Sequence, residues 1–188
     1  MAYDRELFLG KLVRWQAYME SFRLPRWEEL PDMELYMDQV VSLVNRYLDL
    51  IPHDTKDPVL TGSAVNNYVR LKVMPAPVRK RYSRRHLACV IMICTLKQSL
   101  SLAEIQKILP PDAEEAEMCR IYNDFVDRLT ATTRLFIENV NAAARSALAP
   151  ENDRGCDSLV IHSAVSSVLY KLLTVKLTGL RLPEETED

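Results

Sequence analysis

Glycine is scarce in this sequence: only four of the 188 residues are glycine, and no two of them are close together. Glycine-rich loops that cradle phosphates are therefore absent, which argues against the common nucleotide-binding motifs. The four cysteines are scattered without a CxxC pair, so neither a disulfide framework nor a zinc site is predicted. No H-E-x-x-H motif or Ser/His/Asp order indicates catalysis. We expect no enzyme, no metal and no cofactor.

Long apolar runs are also few, and none is expected to reach the ~20 residues that a membrane-spanning helix needs. Asp4 and Glu6 make the first residues acidic, unlike the basic start of a signal peptide. The composition, 48% hydrophobic and 27% charged, is typical of a globular protein. The sequence therefore predicts a cytoplasmic protein with no membrane partner.

Acidic residues are missing from one part of the chain. Residues 58–103 contain eight lysines and arginines and no aspartate or glutamate, although the whole chain has a net charge of -2. Such a segment suits a phosphate backbone. The alternative is a solvated face whose charge partners come from the acidic flanks.

The residues that are abundant favour an all-α fold, because leucine, alanine, glutamate, arginine and methionine are good helix formers. Apolar spacing predicts a first helix that ends before Pro25, and a second over about residues 33–51. Shorter helices are predicted over residues 63–71 and 84–98. Ser101 and Glu104 form a capping box that opens a two-turn helix.

The carboxyl-terminal part is predicted to hold two long helices. From Asp112 the chain contains no helix breaker until Pro150, and a helix of ~35 residues would be about 50 Å long. The last helix, over residues 157–180, carries Ile161, Val165, Val168, Leu169, Leu172, Leu173 and Val175. These side chains could fold back on the long helix as a hairpin, or the long helix could pair with a second chain. The acidic tail 183–188 is expected to be disordered.

The segment over residues 61–70 is typical of a recognition helix. It has a polar cap, one apolar side, and Asn66, Asn67 and Arg70 on the other. Asparagine can bond adenine bidentately and arginine can reach guanine or phosphate. Tyr68 could donate to a phosphate, although it could instead fill the core.

Five cations follow within seven residues: Arg79, Lys80, Arg81, Arg84 and Arg85. Pro77 indicates an extended connector here, which could grip a DNA backbone or minor groove as a wing does. Other candidates have simpler interpretations. His86, Cys89, Cys94 and His162 are expected to be interior residues, and Cys119 and Cys156 lack a second or third metal ligand nearby.

These segments carry a family resemblance, which covers roughly residues 24–110. Ser63-Ala64-Val65-Asn66-Asn67-Tyr68, Lys72-Val73-Met74-Pro75, Arg81-Tyr82-Ser83 and Ser101-Leu102-Ala103-Glu104-Ile105 follow the order of a MerR-like winged helix-turn-helix regulator. Leu24-Pro25-Arg26-Trp27, Leu35-Tyr36-Met37-Asp38-Gln39-Val40 and Asn66-Asn67-Tyr68-Val69 resemble, more narrowly, an uncharacterised bacterial family known only as a domain of unknown function.

The resemblance implies a transcriptional regulator that binds double-stranded DNA. Its domains would be an N-terminal helix (1–30), a winged helix-turn-helix (31–110) and a helical dimerisation or regulatory region (111–182). The expected DNA contacts are Ser63, Asn66, Asn67, Tyr68, Arg70, Lys72, Arg79, Lys80, Arg81, Tyr82, Arg84 and Arg85.

The resemblance also implies a homodimer formed through the long helix. Its expected contacts are Met118, Tyr122, Phe125, Leu129, Phe136 and Val140. An unknown small-molecule effector is compatible with this interpretation. The alternative function is a helical protein-interaction adaptor that has lost sequence-specific DNA binding.

Overall fold

The computed structural model describes residues 3–51, 58–149 and 154–180. These ranges contain seven α-helices, and a short 3-10 turn, Trp27–Glu29, separates the first two of them. The helices are α1 (Arg5–Ser21), α2 (Met37–Tyr47), α3 (Gly62–Arg70), α4 (Arg84–Leu96), α5 (Leu102–Ile108), α6 (Glu115–Ala147) and α7 (Gly155–Thr178). In these ranges β pairing is limited to isolated bridges, so the all-α prediction is confirmed. The acidic tail lies outside the described residues.

Helix α4 forms the centre of the core. All nine residues from 86 to 94 are buried, and α2, α5 and α6 pack around them. A helix that is apolar on every side is stable only when other elements enclose it. Helices α2, α5 and α6 therefore enclose α4, whereas α1 and α7 pack against α6 and α3 packs against α2.

The capping box at α5 is confirmed. The Ser101 amide donates to Glu104 Oε2 at 2.7 Å, and the Glu104 amide donates to Ser101 Oγ at 3.3 Å. The Ser101 amide, and the Ser101 hydroxyl that donates to the same Oε2 at 2.7 Å, hold the pKa of Glu104 below its usual value because they stabilise the carboxylate. The local sequence thus sets where this helix begins.

Helix α2 begins four residues later than the apolar pattern predicts. Leu35 is extended, because its amide donates to the Tyr82 carbonyl at 2.8 Å and its carbonyl accepts from the Tyr82 amide at 2.9 Å. A residue paired in this way cannot also enter the helix. The helix therefore starts at Met37, and the predicted start near residue 33 is corrected.

Helix α6 is continuous over 33 residues and serves two parts of the molecule. Its first half belongs to the core, where the Tyr122 hydroxyl donates to the Pro25 carbonyl at 2.9 Å. Its second half packs against α1. There Gln16 Nε2 donates to Asn141 Oδ1 at 3.1 Å, and the Trp15 and Phe136 rings meet edge to face.

Helix α7 folds back along α6 and contacts α5, but with an unexpected face. Leu159 is buried against the rest of the chain, whereas the apolar row expected to face α6 is exposed. His162 is also exposed, which corrects its interpretation as an interior residue. Among the described helices, α7 has the length and apolar composition of a membrane span, contrary to the expectation that no such segment exists.

Candidate nucleic-acid interface

The outer side of α3 carries the polar row that the sequence predicts. Val65 points inward and is fully buried, which turns Ser63, Asn66 and Arg70 outward to solvent. Thr61 caps the helix, its hydroxyl accepting from the Ala64 amide at 3.2 Å. Three polar side chains are thus displayed along one short, capped helix.

The Arg70 guanidinium, the largest polar group of this row, is held in position from within the helix. Arg70 Nη2 donates to Asn67 Oδ1 at 2.6 Å, and Asn67 is half-buried. This bond restrains the guanidinium beside the exposed Asn66 amide. Asn67 therefore acts as a support for Arg70, and Asn66 remains open to a ligand.

Tyr68 belongs to the core and not to this surface. Its side chain is 3% exposed, and burial raises the pKa of its hydroxyl well above the usual value. Lys97 Nζ donates to the Tyr68 hydroxyl at 3.4 Å and to the Val59 carbonyl at 3.2 Å. The prediction that Tyr68 contacts a phosphate is corrected, because its hydroxyl lies inside the fold.

The basic connector, residues 78–85, is predicted to be extended, but it contains a tight reverse turn. Val78 and Arg81 exchange two backbone hydrogen bonds, of 3.2 and 2.9 Å. Arg79 and Lys80 form the two-residue tip, with φ of 49° and 62°. Positive φ at both central residues is the geometry of a type I′ hairpin, a turn that favours asparagine and glycine. Two exposed cations therefore project from a tight turn.

The other three cations of this segment already have partners in the chain. The Arg81 guanidinium lies 3.5 Å from the centre of the Tyr36 ring. Arg84 donates to the Leu30 carbonyl at 3.2 Å and lies 3.4 Å from an Asp32 oxygen. These contacts hold the two guanidinium groups against residues 30–36, the segment that precedes α2.

Arg85 and Tyr82 are engaged as well. Arg85 donates to the Pro111 carbonyl, and its buried Nε has no hydrogen-bond partner. Tyr82 is 3% exposed and meets the His86 ring edge to face. The fold therefore gives internal partners to Arg84, Arg85 and Tyr82. Fewer of the residues predicted to contact DNA are left exposed.

One short segment, residues 35–37, holds the helix and the turn together. Leu35 pairs with Tyr82 next to the hairpin, and Tyr36 stacks under Arg81. Its third residue, Met37, lies against Gly62 at the start of α3, where an added Cβ would be 3.5 Å from Met37 Cγ. The supporting role of Tyr36 could not be predicted from local sequence, because its partner Arg81 is 45 positions away.

The exposed cations of the region are Arg70, Lys72, Arg79 and Lys80. None of the residues 58–103 is acidic, so no carboxylate from that segment neutralises them. Glu34 and Asp38 lie on either side of residues 35–37 and are exposed, so acidic side chains border the surface next to that segment. The surface joins amide groups suited to base edges with cations suited to phosphates.

The residues expected to form a dimer are divided between core and surface. Met118 and Tyr122 are fully buried within one chain, and Phe125 and Leu129 pack against the same core. These positions are not free to contact a second chain. Phe136 is 40% exposed, and Val140 is half-buried.

The described ranges hold no group of three or more histidine, cysteine, aspartate or glutamate side chains that could bind a metal ion. Burial raises the pKa of Cys89 to about 12 and that of Cys94 to about 11, as expected for thiols enclosed in a core.

Comparison with known proteins gives one match. The family model described as a domain of unknown function, DUF1836, matches residues 25–125, which run from before α2 into the first turns of α6. No curated protein and no solved structure matches. The matched segment contains both the α3 surface and the hairpin, and it is more than half of the chain. The chain therefore belongs to the DUF1836 family.

Proposed function

We propose that this protein is a DNA-binding transcriptional regulator with a MerR-like winged helix-turn-helix. In this proposal α3 enters the major groove and the hairpin over residues 78–81 is the wing. The observation that carries the proposal is the shared anchor: residues 35–37 contact both the start of α3 and the base of the hairpin. A helix and a wing must be fixed relative to each other to meet adjacent parts of one duplex.

Base contacts are assigned to the exposed row of α3. The Asn66 amide can donate to and accept from adenine, and the restrained Arg70 guanidinium can reach guanine or a nearby phosphate. Ser63 lies on the same row, one turn before Asn66. The Arg70–Asn67 bond lowers the side-chain entropy that Arg70 would lose on binding.

Phosphate contacts are assigned to Lys72, Arg79 and Lys80. All three are exposed, and all three have positive φ, which sets their side chains at sharp bends of the backbone. Cations at these positions would neutralise phosphates without reading sequence. They would supply the salt-dependent part of the affinity.

The remaining expectations stay predictions. They are a cytoplasmic location, no catalytic activity, no cofactor and no membrane partner. A small-molecule effector is also untested. An open cleft beside the last helix, lined by Lys107, Ile108 and Leu177, is a place where one could be sought.

The test is fluorescence anisotropy on fragments of the gene's own upstream region and on a shuffled duplex, at several salt concentrations. We expect one fragment to remain preferred at ~150 mM salt, where nonspecific attraction is weak. Asn66→Ala should reduce that preference by ~1–3 kcal/mol. The control is Asn139→Ala, an exposed asparagine on α6. Equal binding of all duplexes by the wild type would contradict the proposal.

A second candidate is a protein-interaction adaptor whose domain no longer recognises DNA sequence. The observation in its favour is that Arg81, Arg84 and Arg85 are already engaged within the chain. The cations that remain would then meet an acidic protein surface. Weak DNA binding that is independent of sequence and disappears with salt would favour this candidate.

A further inference from the structure

Helix α7 exposes most of its apolar side chains, and several of its polar residues lie on the side that packs against the rest of the chain. Eleven large apolar side chains between Val160 and Leu180 are each 44–68% exposed. The less exposed positions include Ser166, Thr174 and Thr178. A helix that packs only against its own chain shows the opposite arrangement, because its apolar face is turned inward.

The outward side has a regular spacing. Ile161, Val165, Val168, Leu172 and Val175 follow steps of four, three, four and three residues, and all are exposed. This is the spacing of an apolar seam in helices that pair along their length. We call these five residues the α7 seam.

The α7 seam lies opposite the side that is held by the rest of the chain. At the start of α7, Gly155 lies against the backbone of Ala147, and near its end Leu177 lines a cleft with Ile108 of α5. The seam cannot turn inward without breaking the contacts at both ends. It therefore needs cover from outside the described chain.

The exposed area of the seam is that of the apolar centre of a dimer interface. If a fully exposed aliphatic side chain presents about 100 Å² of apolar surface, the five seam side chains, each 44–61% exposed, together present roughly 275 Å², about a third of the ~800 Å² per partner of a typical interface. The rest of such an interface is a more polar rim around the apolar centre. The net charge of -2 opposes association of like copies only weakly.

A lipid bilayer fits these observations less well than a second protein chain. To span a membrane, α7 would have to give up its contacts with α5 and α6. The exposed Lys171 and Lys176 also lie within the helix. A second helix along the seam needs no such change.

We propose that the α7 seam pairs with a second copy of this chain, so that the homodimer forms through α7. The apolar face of the first half of α6 is excluded from that role because Met118, Tyr122 and Val126 lie inside each protomer's core. The inference goes beyond DNA binding and is independent of it. If both hold, the pairing brings two copies of α3 into one particle, as recognition of two half-sites requires.

The test measures the mass of the full chain in solution by light scattering and sedimentation, without DNA or detergent. The seam variant is Val168→Glu with Leu172→Glu. The matched control is Ser163→Glu with Ser167→Glu, which adds the same charges with the same spacing to exposed positions outside the seam. Circular dichroism checks that each variant is folded. A milder pair, Val168→Ser with Leu172→Ser, replaces the seam variant if the glutamates unfold the chain.

We expect the wild type and the control to have twice the chain mass of 21.6 kDa, and the seam variant to have 21.6 kDa. A monomeric wild type, or a folded seam variant that remains dimeric, would overturn the inference. Flotation of a monomeric wild type with phosphatidylcholine vesicles would overturn it in favour of a membrane. Because the masses are measured without DNA, these results are separate from the anisotropy test of DNA binding.

Discussion

Asn45 and Leu60 exchange two hydrogen bonds that fix where α3 begins. Asn45 Nδ2 donates to the Leu60 carbonyl, and the Leu60 amide donates to Asn45 Oδ1, both at 2.9 Å. Leu60 immediately precedes Thr61, which caps α3. One side chain on α2 therefore binds the backbone directly before α3 and fixes the start of α3 relative to α2.

Asn45→Leu should lower the free energy of unfolding by ~1–3 kcal/mol, because it leaves the Leu60 amide and carbonyl without their partners. Chemical denaturation measures the change. Asn66→Ala is the control, since this exposed residue should change stability by less than about 0.5 kcal/mol. A loss of the same size in both variants would show that Asn45 has no special role.

Lys72→Gly should stabilise the protein by about 1 kcal/mol. Lys72 has φ of 54° just after α3, where Val73 donates to the Tyr68 carbonyl and Lys72 to that of Val69. This is a Schellman motif, in which glycine is the residue without steric strain. Lys72→Ala removes the same charge but keeps the Cβ, so its melting temperature should not rise. A gain in both variants would attribute the effect to charge instead.

Replacing Arg79 and Lys80 by Asn and Gly should change stability and DNA binding in opposite directions. The Asn-Gly pair suits a type I′ turn, so the melting temperature should rise. The loss of two cations should weaken binding to all duplexes and reduce the salt slope by about two units. Anisotropy against salt concentration measures the slope. An unchanged slope would mean that the hairpin does not contact phosphates.

Gly155→Ala should destabilise the packing of α7 on α6 by ~1–3 kcal/mol, because the new Cβ would clash with the backbone of Ala147. Gly179→Ala is the matched control. There an added Cβ would meet its nearest atoms at an ordinary 3.5 Å. Hydrogen exchange of the α7 amides measures the loss, and equal protection in both variants would contradict the close approach.

Stability should fall through His86 as the pH drops below about 6.5. The Ser83 amide donates to Nδ1 of this buried ring at 3.0 Å, and Nε2 donates to the Ala76 carbonyl at 3.2 Å. Burial lowers the pKa of His86 below 6.5, so the folded state holds the neutral ring. The unfolded state then binds more protons as the pH falls, and the stability is lost below about pH 6.5.

Thermal melts of the wild type and of His86→Gln across this pH range measure that effect. The variant should show the smaller change, because it cannot take up the proton. Carboxylates with lowered pKa values, such as Glu104 and Asp127, contribute at more acidic pH and are the same in both proteins. Parallel curves for the two proteins would rule out His86 as the source.

Local sequence determined the helices, their caps and the segment without acids. The Ser101–Glu104 box forms within four residues, and apolar periodicity and good helix formers located α6 and α7. Such features depend on neighbours in the chain, so they can be predicted from it. The polar row of α3 follows from the same periodicity.

Tertiary structure decided which of the predicted side chains are exposed. Tyr68 is buried and Arg84 is engaged because residues far along the chain pack over them. The start of α2 moved because Leu35 pairs with Tyr82. The outward face of α7 was also beyond prediction, because a helix that is apolar on several sides can be packed in more than one rotation. The contacts of Gly155 and Leu177 select the rotation, and distant contacts of this kind are not encoded in local sequence.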